Sequence, residues 1–146
     1  MDTFKNLEII LVNTQIPENL GFVARAMLNC GLKKLRLVSP EFDINNEKIL
    51  PIAAGADEVI KKIRVFDSYS EAIRDFNFLI ASTARNRSLK KPNLTPEKAA
   101  HEAIEKVNAN NKVGFVFGPE KSGLTNNNLS IIDLSLIHIS EPTRQS

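Results

Sequence analysis

A chain of 146 residues with 42% apolar and 25% charged residues is sized for one domain with its own core and has ordinary globular composition. Its formal net charge of +2 is compatible with an anionic partner without demanding one. A lone cysteine, Cys30, excludes an internal disulfide framework and any multi-cysteine metal site. No apolar run reaches the roughly 18 residues that span a bilayer. The opening Met1-Asp2-Thr3-Phe4-Lys5-Asn6 lacks the pattern of a secretory leader. A cytoplasmic chain with neither membrane nor metal is the simplest expectation.

In chain order, Leu7 to Val12 is an apolar, branched run that predicts a buried strand. Glu18 to Cys30 predicts a helix closed by Gly31. Leu35 to Val38 predicts a second strand, Ser70 to Asp75 a short helical turn, and Phe78 to Ala81 a third strand. Thr95 to Asn108 is the best-marked helix, with Thr95 as N-cap, Pro96 at the first helical position and Glu97 behind it. Val113 to Phe117 predicts a fourth strand. Strands alternating with helices predict an α/β fold, a mostly parallel sheet with helices on both faces. Ligands of such sheets bind outside the carboxyl ends of the strands. That singles out three loops, Asn13 to Asn19, Ser82 to Leu94 and Gly118 to Thr125. His101 has no partner at ligand spacing and reads as a surface residue, and Cys30, among apolar neighbours, reads as core.

Each loop carries a constellation. In Pro17-Glu18-Asn19-Leu20-Gly21-Phe22-Val23-Ala24-Arg25, a glycine early in a helix costs up to about 1 kcal/mol relative to alanine. Either a group approaches its backbone closely or the helix packs there. Arg25 lies at i+4 on the same face, flanked by Ala24, Ala26, Met27 and Leu28, and a guanidinium is suited to gripping phosphate. The plain alternative is that Gly21 packs on the sheet while Arg25 points to water. The second loop runs Ser82-Thr83-Ala84-Arg85-Asn86-Arg87-Ser88-Leu89-Lys90-Lys91. Small hydroxyl residues leave room for a small ligand, and Arg85, Arg87, Lys90 and Lys91 are suited either to an RNA backbone or to bulk water. The third, Phe117-Gly118-Pro119-Glu120-Lys121-Ser122-Gly123-Leu124-Thr125, brackets a carboxylate between glycines, with Thr125 placed to cap a helix. It is neither a phosphate-binding P-loop nor a dinucleotide fingerprint. A nicotinamide oxidoreductase is disfavoured because no glycine signature follows the first strand.

Taken in order, these stretches resemble the SpoU/TrmH family of SPOUT RNA 2′-O-methyltransferases, and most closely its TrmJ-like branch. The family's first motif has Asn, Gly and Arg as at Asn19, Gly21 and Arg25. Its second resembles Val116-Phe117-Gly118-Pro119-Glu120-Lys121-Ser122-Gly123-Leu124. Ala53-Ala54-Gly55-Ala56-Asp57 and Ser82-Thr83-Ala84-Arg85 are similar to that branch too. The resemblance implies a C-terminal α/β knot that binds S-adenosylmethionine, and a homodimer whose active site draws on both subunits. It implies 2′-O-methylation of tRNA, at a cytidine or uridine at position 32 of the anticodon loop. Ser82, Thr83, Ala84 and Gly118 match the methyl-donor pocket, and Arg25, Asn19 and Glu120 match positions implicated in activity. Arg85, Arg87, Lys90 and Lys91 are the expected RNA contacts. A non-catalytic RNA-binding or dimerisation module of the same fold is the competing expectation.

The resemblance runs from Leu7 to Asp133. Beyond it, Leu134-Ser135-Leu136-Ile137-His138-Ile139-Ser140-Glu141-Pro142-Thr143-Arg144 resembles the in-frame translation of a transposase-based sequencing adapter. The expected division is therefore a partial methyltransferase domain over 7–133 and a non-native tail over 134–146, excluded from the fold. On that expectation the knot is incomplete, and this chain lacks one wall of the donor pocket and transfers no methyl group.

Overall fold

Leu7–Val12 (β1) is buried along its whole length, as an interior strand with both faces covered is. The structure, a computed structural model, describes residues 5–83, 93–119 and 134–137. After β1 come helix α1 (Pro17–Asn29), strand β2 (Leu35–Val38), helices α2 (Ile49–Ala53) and α3 (Asp57–Lys61), and strand β3 (Arg64–Phe66). Helix α4 (Tyr69–Ile73), strands β4 (Phe78–Thr83) and β5 (Asn93–Leu94), helix α5 (Pro96–Asn108) and strands β6 (Val113–Phe117) and β7 (Leu134–Ile137) follow. The strands lie in the order β3-β2-β1-β6-β4-β7-β5, and every pair is parallel.

Alternation along the strands assigns the faces. Ile9, Leu11, Leu35 and Leu37 meet Leu20, Ala24 and Met27 of α1 and the α2–α3 pair on one face, where Leu7, Ile80 and Val113 also meet Ala99 and Ala103 of α5. Ile10, Val12, Val38, Leu79, Ala81 and Val116 meet Ala72 and Ile73 of α4 on the other. The α/β expectation, a parallel sheet with helices on both faces, holds.

All four expected strands and both long helices are present. Thr95 caps α5, its Oγ1 accepting from the Lys98 N–H at 3.2 Å. Gly31, at φ 83°, ends α1 as expected. Its N–H donates to the Leu28 carbonyl at 3.1 Å and that of Leu32 to Met27 at 2.8 Å, the paired bonds of a Schellman turn. Elements without a sequence signal are short or at the edge. Strand β3 has exposed Arg64 and Val65, and α2 and α3 have five residues each. Between those helices Ala54 and Gly55 both adopt positive φ, 42° and 90°. A Cβ at Gly55 would meet nothing within 4 Å, so conformation rather than space calls for glycine there.

Two expectations are corrected. Cys30 is exposed, not core, because the buried stripe Leu20-Ala24-Met27 ends at Met27 and Cys30 is the C-cap, where the chain leaves the helix. The segment from Leu134 is not outside the fold, since Leu134–Ile137 pairs with β4 in the register Ile80↔Leu134 to Thr83↔Ile137 and with β5 beyond. Leu134-Ser135-Leu136-Ile137, mostly apolar and ending in a branched residue, suits a strand whatever its origin.

Gly21 is explained by packing. A Cβ there would lie 2.7 Å from the Ile49 carbonyl oxygen and 3.0 Å from Ile52 Cβ, so α2, not the sheet, is what approaches it. Gly21→Ala gains up to about 1 kcal/mol of helix propensity but forces a backbone oxygen to move, an overpacking cost of about 1–3 kcal/mol. The clash is with main chain, so the net expected result is a lower melting temperature. An unchanged or higher one would show that α2 yields freely.

Candidate functional site at the carboxyl edge of the sheet

Strands β1, β6 and β4 are neighbours, so the loops that leave them emerge side by side. Leu11 is level with Phe117, and Ala81 with Val116. Ser82 and Thr83 therefore end β4 beside Phe117 and Gly118 at the end of β6. The floor beneath is closed, with Ala81 and Val116 fully buried. At the rim Ser82, Phe117, Gly118 and Pro119 are half-buried. Ser82 and Gly118 thus put small residues on adjacent strand ends above a sealed core, at the edge where parallel sheets bind ligands.

The third contribution comes from α1. Pro17 starts the helix behind the uncapped Ile16, and Asn19, in the first turn, is half-buried and donates its N–H to the Ile16 carbonyl at 3.0 Å. The polypeptide before it is fixed, since the Thr14 carbonyl accepts from the Glu41 N–H at 2.9 Å and Thr14 is itself buried. Asn19, Ser82, Thr83 and Gly118, named from sequence, thus gather at one edge.

Arg25 lies two turns along α1 and is exposed. Its guanidinium does not reach inward past Gly21, because Ile49 and Ile52 already occupy that space. Exposed Phe22 and Leu28 accompany it on α1, with Ile16 just before the helix. Ala84, Glu120 and the basic run Arg85, Arg87, Lys90 and Lys91 lie outside the described residues, as does Thr125. Among the described residues no cluster of His, Cys, Asp or Glu could hold a metal ion, and no helix is long and apolar enough to cross a membrane. His101 is exposed and pairs with Glu105 at 3.1 Å.

Sequence reasoning did not isolate a second polar centre on the α4 face. Arg36, 1% exposed, donates to Glu8 Oε1 (2.8 Å), to the Ala72 carbonyl (2.8 Å) and to both Asp75 oxygens (2.8 and 2.9 Å). Its guanidinium lies 4.6 Å from the Phe76 ring centroid and 5.3 Å from that of Phe66. Lys112 completes the group by pairing with Glu8 and Asp75. Burial opposes the Arg36 charge, and the Asp75 and Glu8 carboxylates outweigh it, so its pKa rises. Arg36, Asp75 and Phe66 also line a cleft of about 450 Å³ with Arg64 and Arg74. This centre joins β1, β2, α4 and the start of β6, away from the loops that end β1, β4 and β6, and its role is cohesion.

The chain is 38% identical over 123 residues to the tRNA (cytidine/uridine/adenosine-2′-O-)-methyltransferase TrmJ of Pseudomonas aeruginosa, covering 84% of this chain and 48% of that protein. It is 36% identical over 131 residues to the tRNA (cytidine-2′-O-)-methyltransferase TrmJ of Methanocaldococcus jannaschii, covering 88% and 55%. The crystal structure of TrmJ from Z. mobilis superposes with a TM-score of 0.84 at 41% identity, over 92% of this chain and 59% of that one. The chain spans about half the length of the curated relatives it matches. The model of the SpoU rRNA Methylase family matches residues 6–145, and on that match the chain belongs to this family.

Proposed function

We propose that this chain carries the catalytic domain of an S-adenosylmethionine-dependent tRNA 2′-O-methyltransferase acting on cytidine or uridine, with position 32 of the anticodon loop as the expected target. The observation that carries the reading is the convergence of Asn19, Ser82, Thr83 and Gly118 on one edge of a parallel sheet, in a chain 38% identical to a tRNA 2′-O-methyltransferase. The half-buried rim above buried Ala81 and Val116 fits the donor, which Ser82, Thr83, Ala84 and Gly118 would hold. The donor supplies an electrophilic sulfonium methyl. Transfer needs in-line approach of the ribose 2′-oxygen, so the protein's task is placement. Arg25 grips the adjoining phosphate while stabilising charge that develops on the 2′-oxygen. Asn19 and Glu120 orient the ribose or the guanidinium.

A homodimer belongs to the same proposal. Exposed Phe22 and Leu28 flank exposed Arg25 at i−3 and i+3 on α1, and these apolar side chains are suited to contact with a second copy that would meet Arg25. Incubating the protein from the intact genomic locus with methyl-labelled donor and tRNA transcripts, then mapping the modified nucleotide, is the test. Label at a pyrimidine ribose at position 32 is the expected result. Label at another ribose moves the target, and none on any tRNA ends the proposal in favour of the non-catalytic RNA-binding module.

The basic run Arg85, Arg87, Lys90 and Lys91 directly follows β4, and we propose it as the tRNA backbone contact. Reversing Arg85 and Lys90 to Glu should weaken tRNA binding and reduce the slope of log affinity against log salt by about two, roughly one per lost phosphate contact. An unchanged slope would place the run in bulk solvent.

Residues 134–146 are proposed to be non-native, although Leu134–Ile137 forms β7, on their resemblance to a translated adapter. Amplifying the locus from genomic DNA should read a different sequence after Asp133, and the 146-residue chain should bind little donor and transfer no methyl group. A genome that encodes this tail, with stoichiometric donor binding by the purified chain, would overturn that.

A further inference from the structure

Two non-glycine residues sit in left-handed backbone conformation side by side at the carboxyl edge. Asn13, directly after β1, has φ 54°, and Ser39, directly after β2, has φ 42°. For a serine this conformation is sterically disfavoured, a strain that glycine would avoid. Both residues use their side chains instead. Asn13 donates its Nδ2–H to the Ser39 carbonyl at 3.1 Å, and Ser39 donates its hydroxyl to the Asp67 carbonyl at 2.7 Å. Their backbones repeat the pattern, Asn13 N–H to the Val38 carbonyl at 2.8 Å and Ser39 N–H to that of Phe66 at 2.9 Å. The Glu41 N–H then reaches back to Thr14, and Asn19 to Ile16. Hydrogen bonds therefore tie the end of β3 to the end of β2 and that to Asn13 and Thr14 after β1, two residues before the Ile16 carbonyl that closes the first turn of α1.

We infer that Asn13 and Ser39 are positioning residues for the proposed methyl-transfer site: their cross-strand clasp fixes the Thr14–Ile16 segment and so the placement of Asn19 and Arg25 on α1. This inference rests on the proposed function for its catalytic consequence and on the hydrogen bonds alone for its mechanical one. Strained, non-glycine residues held by neighbouring groups are a device for setting geometry. Misplacement of about 1 Å is enough to cost about 100-fold in rate. Both act through the backbone they hold rather than on substrate.

The test uses Asn13→Gly, Ser39→Gly and Asn13→Asp in the protein from the intact locus. The two glycine variants ease φ while deleting the side-chain bond, so the fold survives. Asn13→Asp keeps the shape and tolerance of φ but only accepts, and would face the Ser39 carbonyl with a carboxylate. Amide exchange at Asn19 and Glu41 should quicken about tenfold or more in the variants while Ile9, in the core strand, stays protected. Turnover of tRNA should fall about 10- to 100-fold in kcat with little change in KM, with Asn13→Asp worse than Asn13→Gly. Unchanged exchange at Asn19 and Glu41 overturns the clasp whether or not the protein methylates tRNA. Faster exchange with normal kcat overturns its catalytic role. An inactive parent protein with faster exchange in the variants refutes the proposed function and, with it, the catalytic part of the inference, while the mechanical part stands.

Discussion

Replacing Arg36 with alanine should destabilise the domain by about 3–5 kcal/mol, because it strands a buried carboxylate. Glu8 is 4% exposed, and without Arg36 its remaining cation among the described residues is Lys112 at 3.4 Å. The Ala72 carbonyl would lose its guanidinium donor as well, and Phe66 and Phe76 would each lose one of two cations, keeping Arg64 and Lys112 respectively. Against a total stability of about 5–15 kcal/mol, such a loss leaves little margin. For a domain of this size it lowers the melting temperature by roughly 10 °C or more. Thermal unfolding followed by circular dichroism checks it. The paired replacement Arg36→Met with Glu8→Leu should recover most of the loss, since an apolar pair of similar volume often matches a buried ion pair. If the single variant melts within a degree or two of the parent, the centre contributes no cohesion.

The same centre sets an acid limit. The hydrogen bonds from Arg36, and then Lys112, outweigh the effect of burial and hold the Asp75 carboxyl well below its ordinary value of 3.8. A depressed folded pKa means stability that is fully present above that ordinary value and lost as pH falls below it toward the folded one. The parent should therefore lose stability progressively below about pH 4, and Asp75→Asn should lose less over that window. Asp75 is 45% exposed in its side chain, so water screens the pairing and the effect is smaller than that of Arg36.

How legible all this was depends on what each residue competes with. Runs such as Leu7 to Val12 and Val113 to Phe117 specify buried strands because every position is apolar or, like Glu8, neutralised by a partner across the sheet. That partner was not legible. Glu8 and Arg36 meet only because β1 pairs with β2 in the register Ile9↔Leu35, and opposite charges inside two apolar runs were the available signal. Strand β3 escaped because an exposed edge strand needs no apolar period. The site divides in the same way. Asn19, Ser82, Thr83 and Gly118 follow strand ends, and parallel topology alone delivers strand ends to one edge. Gly21 was equally visible, but which group approaches it was decided by α2, a five-residue helix too short to announce itself. Asn13 and Ser39 left no mark, since backbone handedness at a non-glycine residue is set by neighbours remote in sequence.

In the protein from the intact locus, Arg25→Ala should lower tRNA methylation about 100- to 1,000-fold, the usual cost of deleting one group that stabilises developing charge. The fold should barely register the change. Arg25 is exposed and makes no ion pair among the described residues, and such substitutions usually fall within about 0.5 kcal/mol. Activity and stability therefore separate cleanly at this residue, unlike at Gly21 or Arg36, where loss of function would follow loss of structure. Arg25→Lys should recover only part of the rate, because one ammonium replaces a planar fork that holds two phosphate oxygens at once. Single-turnover methylation with saturating donor, beside a melting curve for each variant, reads both quantities. Near-normal turnover in Arg25→Ala would remove the guanidinium from the chemistry and leave it as a charge on the exposed face of α1.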